Sequence, residues 1–80
     1  MVRIAAHTPR GSEDVIESAI SFFGPGGLGL QMNHRAADHV SFEGGGGFVT
    51  VDSVRLEGQN EVTVIAQEWE LHASRFMRQF

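Results

Sequence analysis

Four histidines, His7, His34, His39 and His72, are the side chains of this chain suited to proton chemistry at neutral pH. Two of them, His34 and His39, lie close to Asp38, with Asp52 expected opposite His39. Histidine titrates near neutral pH, and a neighbouring carboxylate can orient its ring. If the segments around them pair as antiparallel strands, Asn33, His39 and Asp52 fall in one row across three strands. Gln31, Ser41 and Thr50 form the next row. A histidine beside a carboxylate, flanked by hydroxyl and amide groups, has the ingredients of acid–base catalysis. The same six residues suit a polar ligand-binding face, and an antiparallel face turned to water is polar simply because it is wet. His34 occupies an even position and His39 an odd one, so alternation sends them to opposite faces and separates them for a shared metal. His34 is then expected beside Asp38. With no cysteine and no H-E-x-x-H pattern, no metal site, cofactor or catalytic residue is assigned.

The elements that must position this row centre on a run of four glycines. His39-Val40-Ser41-Phe42-Glu43 leads into Gly44 to Gly47, and Phe48-Val49-Thr50-Val51-Asp52 leads out. With the glycines as a four-residue loop, Val40 faces Val51 and Phe42 faces Val49 on one side, while His39 faces Asp52 and Ser41 faces Thr50 on the other. A register slipped by one would set valine against serine and threonine, so the pattern specifies its own pairing.

Neither glycine cluster has the context of a phosphate site. Gly24-Pro25-Gly26-Gly27-Leu28-Gly29 matches G-x-G-x-x-G. That motif needs a strand before it and a helix after it, so that pyrophosphate meets a helix N-terminus. Here a helix ends at the glycines. Gly44 to Gly47 could form an anion nest, yet no helix begins there and no P-loop lysine follows, so it reads as a hairpin loop.

Taken in order, Val2 to His7 alternates as a strand, and Thr8-Pro9-Arg10-Gly11 is a turn. Ser12 is placed as an N-cap, followed by acidic residues and the helical stripe Val15, Ile16, Ala19, Ile20 and Phe23. Gly24 is expected in the left-handed position that ends the helix. A second strand is expected over Leu28 to Asn33, with Leu28, Leu30 and Met32 inward, Met32 facing Val40 and Leu30 facing Phe42. After Val51 the apolar parity switches to Val54 and Leu56, which predicts a β-bulge near Asp52-Ser53. Val62, Val64 and Ala66 then pair back on Leu56 and Val54. The stripe Trp69, His72, Ala73, Phe76, Met77 and Phe80 forms a closing helix. The alternative is one long helix from about Glu61; the β-branched run Val62-Thr63-Val64-Ile65 favours a strand.

The expected fold is therefore one α+β domain over residues 1–80, β-α-β-β-β-β-α, with a curved antiparallel sheet in the order 2-3-4-5-1 and both helices on one face. The alternative is β-α-β-β-β-α. The preferred layout resembles the helix-grip folds and half of a TATA-binding-protein repeat. That is a resemblance of topology, and no activity follows from it.

Net charge is −4 and all six basic residues are arginines, scattered along the chain. An acidic chain of this kind lacks the electrostatic footprint of a nucleic-acid binder. The first residues carry no basic-then-apolar leader and no apolar run could span a membrane, so the cytoplasm is the expected compartment. The leading expectation is a small non-enzymatic binding or protein-interaction module, homodimeric through an exposed edge strand or bound to another protein. The alternative is a small enzyme or enzyme subunit using the His39/Asp52 pair, and nucleic-acid binding ranks third. The expected binding residues are His39, Asp52, Asn33, Gln31, Ser41 and Thr50.

Overall fold

The alternation around the glycine run forms a hairpin in the computed structural model, which describes residues 1–80. Strands β3 (His39–Gly44) and β4 (Gly47–Leu56) pair antiparallel, with Val40 opposite Val51 and Phe42 opposite Val49. All four side chains are fully buried. The connection is tighter than a four-residue loop. Gly44 and Gly47 close the ladder, leaving Gly45 and Gly46 as the turn at φ 58° and 81°. Two successive positive φ values make a primed hairpin turn, whose twist matches that of its strands. Leu56 to Gln59 repeats this geometry before β5 (Gln59–Gln67), with Glu57 at φ 47° and Gly58 at φ 84°.

Strand β1 (Val2–Thr8) pairs with β5, and β2 (Gln31–Ala36) pairs with β3. The five antiparallel strands lie in the order β1-β5-β4-β3-β2. Helix α1 (Ser12–Phe23) packs on β3 and β4, and α2 (Glu70–Met77) packs on β1 and β5. Both lie on the apolar side. The Phe23 ring sits 5.7 Å from that of Phe42 in the sheet and 5.2 Å from that of Phe76, which is buried with Met77 on the inner side of α2. The result is a two-layer α+β structure with one face of the sheet covered and the other bare. Residues 61–67 are strand, so the long C-terminal helix does not form. Val62, Val64 and Ala66 are buried and the residues between them are not, a period only a strand can produce.

Several local expectations fail. Strand β2 begins at Gln31 rather than Leu28, because the Leu28 and Leu30 backbone N–H groups donate to the carbonyls of Phe22 and Phe23. Those bonds fasten residues 28–30 under the end of α1. Leu30 stays buried there, whereas Leu28 and Met32 are largely exposed, and Met32 faces Phe42 rather than Val40. The bulge lies in β2, between Met32 and His34, and not at Asp52-Ser53. Strand β4 pairs with β5 without interruption from Phe48 opposite Gln67 to Leu56 opposite Gln59. Val62, Val64 and Ala66 accordingly face Ser53, Val51 and Val49, not Val54 and Leu56.

Ser12 opens α1 without capping it; Gly11 holds the cap position. The Ser12 hydroxyl instead reaches Ser53 Oγ and Asn60 Oδ1, each at 3.1 Å. Ser53 therefore points inward with Val49 and Val51 and is almost fully buried, which explains the change of parity without a bulge. Gly24 is extended at φ −75°, ψ −167°, its N–H continuing the helical ladder to Ile20. A Cβ on Gly24 would lie 2.6 Å from the Ile20 carbonyl oxygen, and one on Gly27 only 2.2 Å from that of Phe22.

Candidate functional site on the open sheet face

The uncovered face is set by the ladder registers. Ala36, His39, Asp52, Thr63 and Ala5 form one continuous row across all five strands. His34, Ser41, Thr50, Ile65 and Arg3 form the next. His39 Nδ1 lies 2.7 Å from Asp52 Oδ1, with both side chains partly exposed. With Asp52 ionised, Nδ1 must be the donor, which leaves Nε2 of the neutral ring as a free acceptor.

His34 is the residue the sequence misplaced. The extra residue in β2 reverses the alternation, so His34 shares the face of His39, with ring centroids 5.5 Å apart. Asn33 is the bulge residue and has no place in the ladder opposite His39. Gln31 faces Glu43, in a row with Phe48 and Gln67, rather than joining Ser41 and Thr50. The structure thus brings together His39, Asp52, Ser41 and Thr50, removes Asn33 and Gln31 from their rows, and adds His34 and Thr63. A β-bulge has no reliable signature in one sequence; the weak apolar character of residues 31–36 was the available sign. No three His, Cys, Asp or Glu side chains converge as a metal-binding group.

The face is a surface rather than a cavity. Its largest depression, about 470 Å³, is open to solvent and lies against the glycine turn, lined by Gln31, Glu43, Phe48 and Gln67. The turn itself is clamped from the other side. The Trp69 indole N–H donates to the Gly44 carbonyl at 2.8 Å, and a Cβ on Gly47 would fall 2.0 Å from the Gln67 carbonyl oxygen.

A second polar group lies beneath the covered face. Asn60, 1% exposed, accepts from Ser12 and donates through Nδ2 to the Arg10 carbonyl at 2.8 Å. The Arg10 side chain continues outward, donating to both Asp14 carboxylate oxygens, to Ser18 and to Gln79, with its guanidinium 4.9 Å from the Phe80 ring centroid. The hydrogen bonds to Asp14 raise the arginine pKa and hold the Asp14 carboxyl below the usual carboxylate range. The Glu70 carboxyl is lowered chiefly by its own backbone N–H, at the first turn of α2.

Fold and face together define a small two-layer α+β domain with a His–Asp pair on a bare antiparallel sheet. No family model matches the chain, and none was found to match it among curated proteins or solved structures. No helix is long and apolar enough to cross a membrane.

Proposed function

We propose that the chain is a small non-enzymatic binding or interaction module that works through its open sheet face, in the cytoplasm. The observation carrying this reading is the His39–Asp52 pair at 2.7 Å with His34 beside it on an uncovered face. A ring held by a carboxylate presents Nε2 in a fixed direction, and neighbouring hydroxyls of Ser41, Thr50 and Thr63 offer further donors and acceptors. The flat, solvent-open shape suits recognition of a surface or an extended ligand better than enclosure of a small substrate. We also read the topology as helix-grip-like, similar to half of a TATA-binding-protein repeat, and no activity is carried over on that ground.

The second reading is an enzyme or enzyme subunit in which His39 acts as the base and Asp52 orients it. The 2.7 Å pair supports it. The lack of an enclosed pocket weighs against it, because such a base works best where water is excluded. Nucleic-acid binding ranks third for an acidic chain. An amide NMR titration with divalent metals, nucleotides, short nucleic acids and a metabolite mixture tests these readings. Shifts clustered on His34, His39, Ser41, Thr50 and Asp52 are expected. Shifts confined to the layer between helices and sheet, or none with any probe, would sink the open-face reading.

A further inference from the structure

The two edges of the sheet differ in how they are protected. Strand β2 is broken by the bulge between Met32 and His34, and Arg35 on it is tied to Glu17 of α1. Strand β1 has no such device. Its pairing with β5 runs unbroken from Val2 opposite Ala66 to Thr8 opposite Asn60, and it contains no proline; lysine guards neither edge, since the chain has none. Bulges, prolines and lysines are the usual means by which a free edge is kept from pairing with another chain.

We infer that β1 pairs antiparallel with β1 of a second copy of this chain, about a two-fold axis at Ala5. The occupant follows from the strand's own pattern. About that axis Val2 meets Thr8, Ile4 meets Ala6 and Arg3 meets His7 of the second copy, so every side chain keeps its face. Val2, Ile4 and Ala6 are partly buried against the core, and the pairing extends their apolar row from one copy into the next. On the open face, Arg3 is exposed and makes no ion pair within the chain. His7 Nε2 lies 3.6 Å from Glu61 Oε2 on the adjacent strand. Arg3 of one copy therefore faces His7 of the other, and the Glu61 carboxylate it complements lies one strand further in, about 9.6 Å between backbones and within the span of the two extended side chains, on both sides of Ala5.

The pairing doubles the five-stranded sheet and keeps all helices on one side. It also has a consequence for the face. The row that contains His39 and Asp52 ends at Ala5, on the axis itself. In the dimer it runs unbroken from one His39 to the other, across seven strand spacings of about 4.8 Å, or roughly 34 Å before twist. The dimer presents two copies of the site on one surface. The pairing stands apart from the proposed function; only this bivalence rests on it.

Sedimentation velocity from micromolar to near-millimolar concentration tests the inference. The chain is expected to approach twice its 8.7 kDa mass as concentration rises. Ala5→Lys sets like charges against each other at the axis, on an exposed position, and should weaken the dimer by roughly tenfold or more while circular dichroism of the monomer is unchanged. Arg3→Glu should weaken it too, and Arg3→Glu with Glu61→Arg should restore it. Asn33→Lys on β2 should leave it intact. A chain that stays monomeric throughout overturns the inference, as does a dimer that ignores A5K and R3E but is lost in N33K. The A5K monomer retains His39 and Asp52, so loss of dimer and loss of ligand binding are read separately.

Discussion

Asp52 and Ser53 are neighbours in β4 and point to opposite faces of the sheet, each into a polar cluster. Asp52 faces water and holds one partner, His39. Ser53 faces the helices, is almost fully buried, and belongs to a network in which Ser12, Asn60 and the Arg10 backbone satisfy one another. No buried side-chain polar atom in the structure lacks a partner. A buried polar atom must be paired or the fold loses stability, whereas an exposed one can always turn to water. The inner cluster is therefore required by the fold, and the outer one is free to serve a ligand.

Breaking the inner cluster gives the largest expected effect. Asn60→Leu strands the Arg10 carbonyl and removes one of the two acceptors of Ser12, which should cost about 2–3 kcal/mol in urea denaturation. A smaller loss would mean that water enters the network and that it is less closed than its burial implies. Ser53→Val sharpens the same point. Alternation alone would place an apolar residue here and predict a gain, but with Ser12 deprived of one partner and a larger side chain under α1, a loss of about 1 kcal/mol is expected.

Replacing the outer pair should scarcely move stability. His39→Ala or Asp52→Ala is expected to change it by roughly 0–1 kcal/mol, as loss of a partly exposed polar pair usually does. The same variants should abolish the shifts at His34 and Ser41 in the ligand titration, so a large stability loss with binding intact would reverse the assignment of the two clusters. The smallest effect lies at the solvent rim of the inner cluster. Asp14 has its pKa depressed by Arg10, so its stabilising contribution is present above the ordinary carboxylate pKa and is lost as pH falls through the lower folded value. The difference in melting temperature between the wild type and Asp14→Asn should therefore be visible near neutral pH and vanish in acid.

The residues show why some of this was legible and some was not. The β3–β4 register could be read because Val40, Phe42, Val49 and Val51 alternate with polar residues, so only one pairing buries them all. The pairing of His39 with Asp52 follows from it. Strand β2 could not be read the same way, since Leu28 and Leu30 are apolar but are fastened to the end of α1 instead of the ladder. The shift carried Gln31 and Asn33 out of the predicted rows and His34 into one of them. Ser53 misled for a different reason. Its inward direction depends on a hydroxyl from Ser12, 41 residues earlier in the chain, and a periodicity rule cannot see a partner that distant.

The place of β1 in the sheet also governs how the chain must assemble. Strands β2, β3, β4 and β5 join neighbours in sequence through two-residue turns, so their pairing requires only short loops to close. Strand β1 reaches β5 only by bringing Val2 to Ala66 and Thr8 to Asn60, across nearly the whole chain. Loop-closure entropy delays such long-range pairings relative to local ones. The expected order of events is a four-stranded meander of β2 to β5 first, with the amino-terminal strand docking late. Until it docks, β5 is itself an open edge, and the nascent chain offers one unpaired strand where the finished protein offers another.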